Sequence, residues 1–545
     1  MSGAGLLLAT ILRRDRGLVV IWVVGIVGLW AAGTAGLGAA FDEQARQALV
    51  ALLAAQPALL LLRGAPAGTE LGAVMFVSTF NYLAVMLGLM MTFFAVRHSR
   101  GDEDAGRAEL VRGAAVGRWA PLAAILVAGA IEIAIVAALF LAVSVALGLP
   151  AGPSALAAVG LAGVGAAAML VGLLAAQALP TSRGANGAAA VVVSAWFLVR
   201  GVGDALGEAS ADLTRVTPAW PAWLSPIGWV GLAHPYADPP WEPDPTPLLL
   251  LVPLLAVLGA AVALVESRRE LGESLLRSRR GRGTGSAALG ANPLGAPLGL
   301  ALRTTRGGLV VWVVVAAVLG AVAGRLAPAV ASALDDNPAL RRLVQTLGQE
   351  SGTDTEGIFL TALAGIVGVL ACAAAMQPVL RLRHEELAHG EAVLAASVRR
   401  SGWLASHLVP GVVAALLTLA VFAAVVGLSL ASSGDDRWSQ LVEIQVTHLP
   451  LVAVYLAVAA AIVAFVPAAV LWLGWLLLIG LMLVGEFAPL FGEDWEWVQD
   501  GSPFHWVANP LDADPDWTGS WWMLGIAAVL LAAAFVRFSR RDVTV

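Results

Sequence analysis

Two stretches of mixed charge contain the residue types from which a binding or catalytic site could be built. Acidic residues lead in both and basic residues follow, an order that suits a short helix because the helix dipole favours negative charge at its start. A charged, partly apolar helix predicts docking of a soluble partner protein, and a solvated connecting loop is the alternative. The residues concerned are Asp102, Glu103, Arg107, Glu109 and Arg112 in the first stretch and Glu385, Glu386 and Glu391 in the second.

The basic residues limit the nucleotide chemistry of this chain, because all 32 of them are arginine. A P-loop needs a lysine that reaches the phosphates, and Schiff-base catalysis needs a lysine amine. Cys372 is the single cysteine, which excludes an intrachain disulfide and a multi-cysteine metal site. His234 and His505 lie among acidic residues without a zinc-binding spacing. We therefore predict no catalytic residue, no metal site and no cofactor bound by this chain.

Polar residues also occur inside apolar runs, where each has an energetic cost. Glu132 lies mid-run, and a charge there costs roughly 3 kcal/mol, so its side chain is expected to face the bundle interior or to be protonated. We predict that four such residues line a substrate path. Hydrogen bonding between packed helices is the alternative. The four residues are Asn81, Glu132, Gln177 and Gln377.

The elements that must position these residues are membrane-spanning helices. Hydrophobic residues make up 59% of the chain and charged residues 13%, against roughly 25% charged residues in soluble domains. An all-α integral membrane protein with about twelve transmembrane helices is predicted, since a span needs about 20 apolar residues. The apolar spans are 18–40, 73–96, 119–147, 154–179, 185–203, 247–265, 309–326, 357–380, 403–431, 449–466, 468–490 and 521–537.

The distribution of arginine predicts the orientation of these spans. With an even number of spans, one side of the membrane holds both termini, 24 of the 32 arginines and 12 of the 38 acidic residues. Positive charge accumulates on the cytoplasmic side. Both termini are therefore expected to be cytoplasmic.

The chain also repeats itself. Arg13, Arg16 and Trp22 recur at an offset of 290 as Arg303, Arg306 and Trp312, and the loops 97–119 and 381–403 both contain 23 residues. Six spans in each half predict two parallel repeats, related by an axis along the membrane normal. The predicted domains are a first half, 1–270, a linker, 271–297, and a second half, 298–545.

An arginine-flanked stretch precedes the first span of each half. Such a stretch can lie in the membrane interface while its arginines reach the lipid headgroups. We predict an elbow helix at each position, and an ordinary basic flank is the alternative. The elbow residues are Arg13, Arg16 and Trp22 in the first half and Arg303, Arg306 and Trp312 in the second.

With these features in place, the chain resembles the ABC-2-type permeases, most closely the actinobacterial tetronasin-type exporters of polyketide antibiotics, which fuse two six-span halves. The resemblance covers nearly the whole chain. It depends on the order of four features: the elbow with its tryptophan, the acidic cytoplasmic loop, the sequence Ser225-Pro226-Ile227-Gly228-Trp229, and the closing pairs Arg268-Arg269 and Arg540-Arg541.

The resemblance implies a permease in the bacterial plasma membrane that exports hydrophobic or amphipathic small molecules. ATP and Mg would bind a separate ATPase subunit, present in two copies, and the two charged stretches would be its coupling contacts. Glu391 stands where the family pattern has Arg, which suggests that the two contacts are not equivalent. No nucleic-acid partner is expected. A secondary transporter of the major-facilitator kind is the alternative; a membrane enzyme lacks a catalytic constellation.

Overall fold

The protein is described here by a computed structural model. It describes residues 3–239, 241–270, 272–276, 295–336, 355–395, 398–432, 434, 436–487, 500–509 and 515–541. The described chain is mainly helical, because a helix satisfies its own backbone polar groups where water is absent. It divides into two compact units, Met1–Arg280 and Gly281–Val545. That division lies within the predicted linker, most of which is outside the described residues.

The first unit begins with one long helix and ends with another apolar helix. Two antiparallel strands, Glu208–Ala209 and Val216–Thr217, form a small hairpin between them. The helices are α1 (Ala4–Ala40), α2 (Glu43–Ala55), α3 (Pro57–Arg63), α4 (Leu71–Met75), α5 (Asn81–His98), α6 (Arg100–Asp104), α7 (Arg107–Arg112), α8 (Ala120–Ala146), α9 (Ala151–Ala178), α10 (Ser182–Ala205), α11 (Pro226–Leu232) and α12 (Leu251–Arg268). A π-helical segment, Phe76–Phe80, joins α4 to α5, and 3₁₀ turns occupy Trp220–Leu224 and Thr246–Leu250.

Side-chain caps fix where several of these helices start. Asp42 accepts a hydrogen bond from the Ala45 amide at 2.8 Å, and Thr181 accepts one from the Gly184 amide at 3.1 Å. Each cap satisfies a backbone donor that has no partner within its helix. The caps explain why α2 and α10 begin where they do.

The described part of the second unit consists of seven helices, several of them long. Its helices are α13 (Gly295–Asp336), α14 (Thr355–Ala395), α15 (Arg400–Ala431), α16 (Trp438–Val446), α17 (Leu449–Phe465), α18 (Val470–Phe487) and α19 (Thr518–Arg540), with a 3₁₀ turn at Pro467–Ala469. Cys372 is fully buried in the apolar core of this unit, so it serves as a packing residue. The two units each have a core of their own.

Eleven helices of the described residues are long and apolar enough to cross a membrane. They include all the predicted spans except 468–490, where α18 has 18 residues and its fully described apolar part, Trp472–Met482, is shorter than a span. The protein is therefore an all-α, multi-pass integral membrane protein.

Three elements differ from the sequence prediction. The elbow segments are not separate helices, because α1 and α13 run through them without a break. The second charged stretch is not a 23-residue loop, since α14 continues to Ala395 and α15 begins at Arg400. Sequence analysis also missed α2 and α3, whose apolar runs are too short to register as spans.

A buried ion pair fastens α3 to α10. Arg200 is 1% exposed; it donates to Asp204 at 2.8 Å and to the carbonyl of Leu61, in the last turn of α3, at 3.2 Å. A Cβ on Gly201 would lie 2.3 Å from the same carbonyl oxygen, so the close approach requires glycine. The arginine thus satisfies a helix-end carbonyl and a buried carboxylate together.

Replacement of Arg200 by Met should destabilise the protein by about 3–5 kcal/mol, because it leaves the Asp204 carboxylate buried without its partner. The double variant Arg200→Met/Asp204→Leu should recover much of that loss. Arg183→Met, which removes an exposed arginine from the start of the same helix, is the control. Thermal unfolding in detergent measures all three, and equal melting of the single and double variants would contradict the assignment.

Candidate functional site: the charged end of each unit

One of the predicted docking residues of the first unit, Glu103, has its carboxylate held between two arginines. Arg100 donates to Glu103 at 2.7 Å, and Arg269, just after α12, binds the same carboxylate oxygen. The exposed fractions of the side chains are 2% for Arg100, 12% for Glu103 and 7% for Arg269. Arg100 also donates to the Ala176 carbonyl in the last turns of α9 at 2.9 Å. This arginine–glutamate–arginine set, the first clamp, joins α6 to the ends of α9 and α12.

The second unit contains the same set of contacts. Arg383 donates to Glu386 at 2.9 Å, and Arg541, just after α19, binds the other oxygen of that carboxylate. Arg541 also donates to the Val463 carbonyl in the last turn of α17 at 2.6 Å. This second clamp joins α14 to the ends of α17 and α19. In both units, a glutamate with at most 12% of its side chain exposed is paired with the second arginine of the closing pair.

The acidic residue before each clamp binds the first helix of its unit. Asp102 accepts hydrogen bonds from Arg14 at 3.0 Å and from Arg107 at 2.6 Å. Glu385 accepts one from Thr304 at 3.2 Å. Arg14 and Thr304 each follow the arginine that begins the repeated pattern, so the two contacts occupy corresponding places. The charged ends of the units are defined by these clamps and acids.

The clamps relate the two stretches by an offset one residue smaller than the offset between the loops 97–119 and 381–403. Equal loop lengths suggested that Arg97 corresponds to Arg381. The clamps instead pair Arg100 with Arg383 and Glu103 with Glu386. The equal loop lengths do not reveal this difference in offset, because the two stretches are folded differently. The second stretch is mostly helical, whereas the first contains two short helices separated by Ala105 and Gly106.

Two buried histidines belong to these ends and were missed by sequence analysis. His98 lies 2.7 Å from the Asp15 carboxylate, and both side chains are almost fully buried. His407 lies 3.0 Å from Glu385. The sequence contained a pattern that could have indicated these histidines. Each lies close to an arginine-rich stretch, and Asp15 stands between two arginines of the first helix.

The helix α7 lies on the surface of the first unit, since none of its residues is buried. Leu110 is 79% exposed, Glu109 is exposed beside it, and Arg112 lies 3.6 Å from Glu266. In the second unit Glu391 is exposed on the last turns of α14. An exposed apolar residue flanked by charges has the composition of a surface that another protein can cover.

The predicted elbow residues divide into exposed arginines and packed tryptophans. Trp22 packs against the core of the first unit, and Trp312 donates to Gln377 at 3.0 Å. The exposed residues are Arg13, Arg16, Arg303 and Arg306. These arginines can reach headgroups from the ends of α1 and α13.

The predicted path residues do not come together in the first unit. Asn81 donates to the Arg63 carbonyl at 2.5 Å, near one end of α5, whereas Gln177 donates to Glu266 at 3.1 Å near the other end. About 25 Å of helix separates these ends at 1.5 Å per residue. Glu132 is 2% exposed, and one of its carboxyl oxygens has no hydrogen-bond partner among the described residues. Gln377 belongs to the second unit, where it accepts the Trp312 bond.

Replacement of Glu103 by Gln should release α6 and α7, because Arg100 and Arg269 are then left buried together without a balancing charge. Removal of one partner from a buried ion pair costs about 3–5 kcal/mol. Hydrogen–deuterium exchange of residues 100–112 should become faster in this variant and stay unchanged in Glu109→Gln, which alters an exposed acid of the same segment. Identical exchange in both variants would show that the clamp does not hold the segment.

Comparison with known proteins shows the family to which this chain belongs. The family model described as "Multidrug efflux system permease Rv1217c, C-terminal domain" matches residues 294–539. The multidrug efflux system permease protein Rv1217c of Mycobacterium tuberculosis (strain ATCC 25618 / H37Rv) is 31% identical over 551 residues, which cover 98% of this chain and 94% of that protein. The chain therefore belongs to the family of the multidrug efflux permease Rv1217c.

Proposed function

We propose that this chain is the membrane-spanning subunit of an ATP-binding-cassette exporter of the ABC-2 type, related to the tetronasin-type exporters. It has twelve spans in two parallel six-helix repeats, with both termini on the cytoplasmic side of the bacterial plasma membrane. Hydrophobic or amphipathic drug-like compounds are its substrates. A separate ATPase, in two copies, binds ATP and Mg and supplies the energy.

The observation that carries the proposal is the recurrence of the clamp in both units. Each clamp ties a charged segment to the arginine that closes its unit, and the neighbouring acid ties it to the first helix. A force applied to that segment is therefore transmitted to helices at both ends of the unit's sequence. Two such handles suit a motor made of two ATPase copies.

The exposed surface of α7 supports the proposal that the ATPase docks at this helix. Glu103 is occupied by its arginines, so it positions the segment, whereas Glu109 and Leu110 are available to a partner. Glu391 has the equivalent exposure in the second unit. We assign docking to these exposed residues and positioning to Glu103 and Glu386.

A secondary transporter driven by an ion gradient is the alternative. It needs a carboxylate that binds and releases a proton along the path, and Glu132 is the buried acid with an oxygen left unpartnered among the described residues. Reconstitution into liposomes separates the two mechanisms. The purified chain alone should hydrolyse no ATP and transport nothing under a proton gradient, and addition of the ATPase subunit we propose as its partner should produce ATP-dependent efflux.

The double variant Glu109→Arg/Leu110→Asp should lower ATP-dependent efflux and stimulated ATP hydrolysis about tenfold, because an apolar anchor and its flanking charge at an interface contribute about 1–2 kcal/mol. Folding should be unaffected, since neither side chain is buried. Leu206→Asp, at a leucine that is 64% exposed and lies just after α10, is the matched control. Full activity in the double variant would exclude docking through α7.

A further inference from the structure

An open cavity of about 390 Å³ lies beside the first clamp, where α7, the start of α8 and the end of α12 meet. Its lining combines a few small apolar residues with three arginines and one acidic residue. Basic pockets between the ends of membrane-spanning helices are suited to anionic headgroups. The charged lining residues are Arg112, Arg118, Arg269 and Glu270.

Two of these arginines have hydrogen-bond donors that a ligand can reach. The Arg112 side chain is 38% exposed and makes no hydrogen bond to another described residue, since the Glu266 carboxylate lies 3.6 Å away. Arg118 is also exposed, and it donates from Nη2 alone, to the carbonyls of Glu266 at 2.9 Å and Ser267 at 2.7 Å. Its Nε and Nη1 have no partner in the part of the chain that the structure describes. An acceptor that enters the cavity therefore meets two guanidinium groups with free donors.

The charges around the cavity do not balance. The first clamp contributes two arginines and one glutamate. Arg112 and Arg118 add two positive charges, and Glu266 and Glu270 add two negative ones. One positive charge therefore has no counterpart among these groups. A phosphodiester carries one negative charge, and the planar fork of arginine binds phosphate oxygens in pairs.

The cavity lies at the boundary of the membrane-spanning helices. Arg118 precedes the span Ala120–Ala146 by two residues. Arg269 follows directly on the span that ends at Arg268. Trp119, which is 43% exposed, lies between Arg118 and its span, and tryptophan is enriched at the level of the lipid headgroups. Phospholipid headgroups are therefore the phosphate anions that reach this cavity at the highest local concentration.

We propose that this cavity binds the headgroup of an anionic phospholipid, whose phosphodiester accepts hydrogen bonds from Arg112 and Arg118. Pockets that enclose a whole drug-sized ligand measure about 300–1,000 Å³, so a cavity at the lower end of that range holds the headgroup while the acyl chains stay in the bilayer. An acidic surface of a partner protein is the other class of molecule that arginines attract. The lipid is favoured because a protein surface would have to enter this concavity at the membrane boundary.

The site is a property of the first unit. The offset that relates Glu103 to Glu386 places Ala395 at the position of Arg112, and it places Ser401 at the position of Arg118. Neither of these residues carries a charge, so we expect one such headgroup per chain. Arg112 is the last residue of α7, and Arg118 precedes α8. A bound headgroup would therefore fasten the end of α7 to the start of α8.

Native mass spectrometry of the purified permease, without any partner protein, measures lipid binding directly. Phosphatidylglycerol should bind as one tightly held lipid, and zwitterionic phosphatidylcholine should bind about tenfold more weakly. Arg112→Gln should weaken phosphatidylglycerol binding about fivefold and Arg112→Gln/Arg118→Gln about twenty-five-fold, because each arginine near an anionic headgroup contributes about a factor of five. The single variant removes no hydrogen bond within the described chain, so its fold should be intact. Arg268→Gln is the control, since Arg268 is exposed at the end of α12 and does not line the cavity.

Three outcomes would overturn the assignment. Unchanged phosphatidylglycerol affinity in Arg112→Gln would exclude the site, and an equal loss in Arg268→Gln would reduce it to the general attraction of a basic surface. Displacement of the lipid by millimolar inorganic phosphate would identify a site for free phosphate instead. Co-purification with the ATPase is measured separately. If Arg112→Gln loses the ATPase and keeps its lipid, the arginine belongs to a protein contact and the lipid site is wrong.

Discussion

A carboxylate that is removed from water survives in an apolar protein when cations replace the water around it. Each unit of this permease solves that problem with two arginines on one glutamate, at Glu103 and at Glu386. A lone charge in such surroundings would cost several kcal/mol, and the loss of one partner restores much of that cost. The position of the charged segment relative to the closing end of its unit depends on this interaction.

Arginine suits the position for a reason beyond its charge. Its guanidinium has five donors in a planar fork, so it can bind a carboxylate and a backbone carbonyl together. Arg100 and Arg541 both do so, the first at the Ala176 carbonyl and the second at the Val463 carbonyl. Carbonyls at helix ends lack partners within the helix. One arginine side chain therefore pairs with the glutamate and also donates to a carbonyl in the last turns of a neighbouring helix. The clamp is in this way connected to the packing of the helices.

The sequence predicted the membrane helices well because each depends on a single local property, a run of about 20 apolar residues. Helices α2 and α3 lay beyond that reasoning, since they are held by tertiary contacts such as Arg200 on the Leu61 carbonyl. Composition drew attention to the two charged stretches, but it did not single out the clamp arginines as site residues. Their division into positioning and exposed residues could not be predicted, because it depends on Arg269 and Arg541, which lie more than 150 residues along the chain from Glu103 and Glu386.

The two charged ends share the clamp and differ beside it, and one of the differences lies in the repeated pattern of their first helices. Asp15 of α1 corresponds to Thr305 of α13, and both side chains are buried. In the first unit the acid at this position takes His98 as its partner. The second unit has a hydroxyl there that donates to the Ala301 carbonyl of its own helix, and a buried histidine of this unit, His407, lies within hydrogen-bond distance of Glu385. Asp102 is held by Arg14 and Arg107. Glu385, in contrast, also contacts His407 of α15. The charged segments of the two units are therefore supported by different contacts.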